Sequence, residues 1–560
     1  MARVVFVYPD FESLGVEYLM SACQVAGQSV DLVFYNAQDT YIGGVEATLD
    51  AEKIALEILK KGAEVAAFSC VTDIYRFQLR IAQALKRVAA SIVTIFGGVH
   101  VTAVPQRVFA EPAVDAVAIG EGDRSFPAWL VKGSRPSGGF SLPPDPVQGI
   151  THKRGDQQIG DFSEGEFVGL EILPFPCKEP FLRYLPDAAY VYRIITSRGC
   201  PFACSYCYNS QLRKLRGKSM VIQRTVENVI AELVWAKKTI FPSYIWIGDD
   251  CLTLRLEWLL EFCRRYLQEV ALPFSCVSSP SYLDRERIEA LRLAGCNNIQ
   301  FGVQSLSEEL CKTVLQRHSE NRRIAEVLDL VRGSGMLAKV DHMMGIPGDT
   351  LENQEKALRF YAEHPPGLIQ LFWLTYYPGT AILSRALSEG ILTSLDIEKI
   401  ERGEPLTKQS YLAGGSMQQS GPFIAIGFVL NWLPLLPQKV IQFLVETKVY
   451  RLFRISKFFW GVGLPRALIA LLNPADSLGL GHIQRILAKW IGASRARRLF
   501  RLFWTFSSDK ARSFSHRGYK RSQIRSAVSS VIQPAAKTQN IRRGEKNNKL
   551  PGEEVIGTRI

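Results

Sequence analysis

Two stretches of the chain alternate short apolar runs with helical patterns, and this alternation limits the fold more than any other feature. Between residues 2 and 132 the runs RVVFVY, VDLVFY, EVAAFS, SIVTIFGG and DAVAIG are rich in valine and isoleucine, with patterns such as AEKIALEILKK and RFQLRIAQALKRVAA between them. Strand and helix in turn imply a doubly wound parallel sheet whose ligands bind at the carboxyl ends of its strands. A Gly-, Pro- and Ser-rich stretch, KGSRPSGGFSLPPDPVQG, marks a linker after it. The second alternation runs from about Tyr190 to Gly390, with strand candidates VYRIITSR, SYIWIGDD, FSCVSSP, NIQFGVQS, AKVDHMMGI and IQLFWLTYYP. Six such units are too few for a closed eight-stranded barrel and predict a partial (β/α)6 barrel of TIM type, with its site at the strands' C-terminal ends.

A chain of 560 residues exceeds one hydrophobic core and divides into domains. The expected divisions are 1–135, a linker at 136–187, the partial barrel at 188–390, a mainly helical region at 391–506 and a basic tail of disordered composition at 507–560. The opening MARVVFVYPD passes straight into a strand-like run without a signal-peptide pattern, so a cytoplasmic location is expected. Eleven scattered cysteines in that context argue against a disulfide framework. From Lys439 onward there are 24 Lys and Arg against 6 Asp and Glu, which leaves the first 438 residues at a net −5. FIAIGFVLNWLPLLP, an apolar run of 15 residues, is shorter than the ~20 needed to span a bilayer.

Three cysteines are clustered, in SRGCPFACSYCYN: Cys200-x3-Cys204-x2-Cys207, directly after the first strand of the second alternation. Three thiolates can hold three irons of a cubane cluster and leave the fourth open, whereas a structural zinc site is closed by four ligands. The nearest histidines are His152 and His318, and a zinc site would need Cys177 or Cys251 as its fourth ligand.

The spacing, with Tyr206 before the third cysteine, resembles the signature of the radical S-adenosylmethionine (SAM) superfamily. The resemblance implies a [4Fe-4S] cluster on Cys200, Cys204 and Cys207 whose open iron is chelated by SAM, and reductive cleavage to a 5′-deoxyadenosyl radical. It further implies that Gly248, Asp249 and Asp250 lie near the methionine amino group, Gln304 and Ser305 near the ribose, and Gly345 and Ile346 of MGIPGDT near the adenine.

In the first domain DFESLG, Asp10 to Gly15, resembles the cobalamin-binding motif Asp-x-His-x-x-Gly with Glu12 in the histidine position. Ser69 of SCV, the pair Gly97-Gly98, and Glu121 with Gly122 resemble later elements of cobalamin-binding domains that precede radical SAM domains. The resemblance covers roughly residues 1–390 and implies cobalamin as third cofactor, without a lower axial imidazole from position 12. Glu12 could substitute poorly, bind a water or cap the following helix. His100, in a turn beside glycines, is expected to face solvent, with metal ligation as the alternative.

The function expected from this resemblance is methyl transfer to an unactivated carbon through the adenosyl radical and methylcobalamin. Cyclisation or rearrangement with the same cofactors is the alternative; a cobalamin sensor or nucleic-acid binder is the non-catalytic one. A methylthiotransferase would need a second cluster, for which only Cys23, Cys70 and Cys177 are available. The expected partners are a small-molecule or lipid-like substrate and an electron donor such as flavodoxin or ferredoxin. Tyr376, Tyr377 and Arg198 are candidates to face the substrate cavity. The basic, aromatic stretch beyond 439 suits a peripheral membrane surface better than nucleic acid; the other reading has FIAIGFVLNWLPLLP as the core of helices packed on the barrel.

Overall fold

The computed structural model describes residues 1–35, 50–216, 221–404, 406 and 421–453, all within one compact unit, Met1–Ser508. The basic and aromatic stretches after residue 453 and the tail at 507–560 lie outside the described residues.

The N-terminal part, the wing, is a seven-stranded sheet in the order β2-β1-β3-β4-β5-β6-β7. β1 (Arg3–Pro9), β2 (Ser29–Tyr35), β3 (Val65–Ser69), β4 (Val93–Gly97) and β5 (Ala116–Ala118) are parallel. β1 is apolar on both faces because both are covered. Val5 and Val7 join one core with Ile58, Tyr75 and Leu85, while Val4, Phe6 and Tyr8 join the other with Val16, Met20 and Trp129. The strand order reverses at β1 and β3, and a doubly wound sheet opens its ligand crevice at such a point.

The expected linker is partly strand. β6 (Ile150–Arg154) and β7 (Gln157–Ile159) form a hairpin that extends the wing's sheet antiparallel. Its turn uses Gly155 at φ +60, a conformation glycine adopts without strain. The chain then runs through the helix Glu179–Tyr184, whose Phe181 enters the wing core.

β8 (Val191–Ile194) opens the second sheet, and β9 (Ser197–Arg198) pairs with β10 (Ile222–Gln223) beside it. β11 (Tyr244–Ile247), β12 (Phe274–Ser278), β13 (Cys296–Gln304), β14 (Leu337–Met344) and β15 (Leu368–Trp373) complete a six-stranded, all-parallel sheet in the order β15-β14-β13-β12-β11-β8. This is the expected partial barrel.

The apolar run at 423–437 packs rather than projects. The helix Gly421–Trp432 lies against β15 and the helix Leu351–Glu363, and its Ile426, Val429 and Leu430 belong to the barrel core. Glu355 anchors the end of this region, accepting hydrogen bonds from Lys448 Nζ (2.6 Å) and Tyr450 Oη (2.9 Å). Among the described residues no helix is long and apolar enough to cross a membrane.

Candidate active site

The cysteine loop is held by its backbone and presents its thiols. Where β8 ends, buried Asp249 accepts hydrogen bonds from Thr196 N (2.6 Å), Thr196 Oγ1 (2.5 Å) and Ser197 Oγ (2.7 Å), tying the loop's root to the end of β11. Farther along, Ser205 donates from N to Leu315 O (2.9 Å) and from Oγ to Val314 O (2.6 Å), and accepts from Ile382 N (3.0 Å). The loop is thereby fixed at both ends, with Cys200 and Cys207 half-buried and Cys204 buried.

Burial pushes the Cys200 thiol up to about 12 and Cys207 up to about 11, with Asp250 and the neighbouring cysteines adding to both. Without metal these thiols keep their protons, and a bound cluster would take them as thiolates with those protons released. A cation stands beside the group: Arg317 Nη1 lies 3.7 Å from Cys204 Sγ, Nη2 donates to Gly302 O (2.7 Å), and the guanidinium lies over the Phe202 ring at 5.5 Å. Among the described residues no three His, Cys, Asp or Glu converge on a point as ligands of one ion do. A cubane places each thiolate on a separate iron, so three spaced thiols with a neighbouring cation fit a cluster. Cys251 lies against Ser278, and Cys177 packs on the wing core.

The other barrel positions border the same rim. Asp250 is exposed next to Asp249. At Gly248 an added Cβ would meet the Trp246 ring at 2.3 Å, so a side chain there would displace that ring. β13 shifts register between Gly302 and Gln304, which adopts φ +66, a left-handed conformation uncommon for a side-chain-bearing residue and frequent at functional sites. Gln304 folds back over Gly302, where an added Cβ would lie 2.4 Å from its Nε2. The buried Ser305 hydroxyl accepts from Ser307 N (3.1 Å). Tyr206 packs on a core shared by Ile346, Leu310 and Tyr376.

The loop after β14 is braced from below. Gln354 Nε2 donates to Asp349 Oδ2 (2.7 Å), so its Oε1 accepts from His342 Nε2 (3.0 Å), and His342 Nδ1 accepts from Tyr361 Oη (3.1 Å). Burial lowers His342 to about 4 and raises Asp349 to about 6.

In the wing, Gly15 and the pair Gly97-Gly98 follow β1 and β4 at the carboxyl edge of the sheet. A Cβ at Gly15 would meet nothing within 4 Å, whereas at Gly98 (φ +94) it would meet Cys70 O at 2.7 Å and Cys70 N at 2.8 Å. Asp10 and Ser69 are half-buried at the same edge, and Gly97 faces Ala118, whose Cβ is 3.3 Å from the position of an added Cβ. The open space at Gly15, beside the switch point of the sheet, is what fits a large cofactor there.

Two of the acidic side chains expected to touch that cofactor, Glu12 and Glu121, pair with cations of the connecting segment and the barrel. Glu12 Oε1 accepts from Lys178 Nζ (2.7 Å), and Oε2 pairs with Arg193 Nε at 3.1 Å. The helix cap is Ser13, whose side chain accepts from Val16 N. Glu121 pairs with Arg198 Nη1 at 3.2 Å, and Asp123 with the same guanidinium, which lies two residues before Cys200. His100 is buried instead of solvent-facing: Nδ1 lies 3.0 Å from Thr72 Oγ1 and the ring lies against Tyr75 at 4.3 Å. Burial lowers it to about 4, opposed by the backbone of Glu401. Tyr377 Oη donates to Asp73 Oδ2 (3.3 Å) across the two domains, and Tyr376 is core. Arg317, Lys178, Asp123 and the His342–Gln354 pair carry no sequence motif.

Two family models match the chain in order: the B12 binding domain over residues 2–130 and the radical SAM superfamily over residues 194–361. An uncharacterized methyltransferase of Pyrococcus horikoshii is 24% identical over 376 residues, 66% of this chain and 79% of its own. The anaerobic magnesium-protoporphyrin IX monomethyl ester cyclase of Cereibacter sphaeroides is 22% identical over 74% of this chain and 68% of its own. Among solved structures, the radical SAM methyltransferase TsrM of Kitasatospora setae, with cobalamin and a [4Fe-4S] cluster bound, aligns with a TM-score of 0.54 at 15% identity, over 70% of this chain and 78% of its own. Three spaced thiols on a partial parallel barrel, preceded by a glycine-lined doubly wound wing, agree with both family matches, and the chain belongs to the cobalamin-binding radical SAM enzymes, whose cofactors are a [4Fe-4S] cluster, SAM and cobalamin.

Proposed function

We propose that this enzyme is a methyltransferase that methylates an unactivated carbon of a small-molecule or lipid-like substrate. The observation that carries the reading is the direct attachment of the wing to the cluster loop: Glu121 and Asp123 hold Arg198, two residues from Cys200. When bound, the cluster and SAM supply a carbon-centred radical and cobalamin supplies the methyl group. The chain's part is to hold the two sites together, exclude water and keep the cysteine backbone rigid. The methyltransferases of Pyrococcus horikoshii and Kitasatospora setae support methyl transfer, while the Cereibacter sphaeroides cyclase supports the second reading, cyclisation or rearrangement without it.

On this proposal Cys200, Cys204 and Cys207 hold the cluster, and Tyr206, Gly248, Asp249 and Asp250 border the methionine end of SAM. Gln304 and Ser305 border its ribose, and Gly345 and Ile346 its adenine. Asp249 contributes through the loop root, since its carboxylate is engaged by Thr196 and Ser197. Asp10, Gly15, Ser69, Gly97 and Gly98 border cobalamin. Electrons come from a low-potential donor such as flavodoxin or ferredoxin. The test is incubation of reduced enzyme with SAM labelled in its methyl group and extracts of candidate substrates. Label in a product carbon supports methyl transfer; an unlabelled, rearranged product overturns it.

A cytoplasmic enzyme resting on the membrane's inner face is the proposed location. Val440, Phe443 and Leu452 are exposed on and beside the helix Gln438–Thr447, next to Lys439, where the basic region begins. Co-sedimentation with anionic liposomes at low and moderate salt tests this, and no binding at either rejects it.

A further inference from the structure

We infer that Glu12 is a positioning residue that latches the wing to the first barrel strand and is not a cofactor contact. Its place in the Asp-x-His-x-x-Gly pattern suggests a cobalt-facing side chain, yet both of its oxygens are engaged elsewhere. Lys178 Nζ, from the segment joining the domains, lies 2.7 Å from Glu12 Oε1 and 2.7 Å from Glu17 Oε2, and donates to the carbonyl of Arg193 at 3.0 Å. Arg193, on β8, closes the group at 3.1 Å from Glu12 Oε2 and lies over the Trp246 ring at 5.5 Å. Lys178 sits over the Tyr192 ring at 4.8 Å. The side chains of Lys178, Glu12 and Glu17 are 4%, 5% and 0% exposed.

A group so buried costs free energy to assemble and far more to half-remove, so its members have defined partners and orientations. It also joins three pieces that are remote in sequence: the loop after β1, the connecting segment and the edge strand of the barrel. Those pieces set where the wing's carboxyl edge stands relative to β8, the strand that leads into the cysteine loop.

The latch is a property of the chain alone, so it is tested first on full-length protein without cobalamin, by hydrogen exchange of wild type, E12Q and K178M. Either substitution is expected to speed exchange at residues 191–194 by at least about tenfold. The second readout rests on the wing's holding cobalamin and is interpreted against wild-type loading. E12Q is expected to keep cobalamin content within about twofold of wild type, and E12H to show a cob(II)alamin EPR spectrum without nitrogen splitting. Unchanged exchange at 191–194 in both E12Q and K178M would overturn the inference, as would nitrogen splitting in E12H that the wild-type spectrum lacks. Failure of wild type to bind cobalamin would count against the cofactor reading, and the exchange result would still decide the latch.

Discussion

The loop after β1 and the loop after β8 occupy equivalent places, each following the first strand of a parallel sheet, but they use their side chains in opposite ways. After β8, the backbone is pinned by Asp249 and Ser205 so that three thiols remain for iron. After β1, the acidic side chain is spent on Lys178 and Arg193, and the open space lies at Gly15. The difference follows from the cofactors. An iron–sulfur cluster needs thiolates at set spacing, while cobalamin without a protein axial ligand needs only shape and close approach.

The largest expected effect separates the two loops completely. Replacing Cys200, Cys204 or Cys207 by alanine should abolish cluster assembly and SAM cleavage while leaving cobalamin content unchanged, as measured by iron and cobalt per chain. Equal loss of both metals would erase the contrast. Next, Gly98→Val should damage only the wing, since its Cβ falls 2.7 Å from Cys70 O at φ +94. A destabilisation of roughly 3 kcal/mol or more is expected, with reduced cobalamin and retained iron.

A smaller effect sharpens the comparison through pH. The wing's His100 and the barrel's His342 are both lowered by burial to about 4, so each folded form binds fewer protons than the unfolded chain. Their contribution is fully present above pH ~6.5 and is lost as pH falls towards ~4, on the order of 3 kcal/mol each. Glu17 runs the other way: burial raises its carboxyl against the opposing Lys178 ammonium, so its contribution is full below the ordinary carboxylate range and is lost as pH rises above it. Denaturant unfolding at about pH 5 and about pH 7 should show a flatter acid slope in the barrel for His342→Gln and in the wing for His100→Gln. The smallest effect concerns Arg317, 3.7 Å from Cys204 Sγ. Arg317→Met should lower the cluster's reduction potential by roughly 60 mV, one tenfold step for a one-electron couple, in an EPR-monitored titration. An unchanged potential would show that this cation does not act on the cluster.

The same asymmetry governs what could be read in the sequence. The cysteine loop was legible because its three donors fall within eight residues, and the six strand–helix units were legible from their periodicity. Arg317 was not, since it reaches Cys204 from 113 residues away through a fold that brings the end of β13 under the loop. Glu12 matched a motif position, but Lys178 lies in a segment that reads as a linker. Part of that segment is the β6–β7 hairpin, whose strands alternate too weakly to stand out among glycines and prolines. The apolar run at 423–437 could serve as membrane face or core, and its packing on β15 and the helix Leu351–Glu363 places it in the core.

Whether one chain holds a cluster and a cobalamin in these two unlike loops can be decided on protein made with cobalamin and purified without oxygen. Cobalamin and iron per chain are measured together with the EPR spectrum of the cob(II)alamin form. About one cobalamin and about four irons per chain, without nitrogen splitting, is the result expected from Glu12 in place of histidine. A chain that assembles its cluster yet binds no cobalamin, or a cob(II)alamin signal split by a nitrogen of the protein, identified by isotope labelling of the chain, would contradict it.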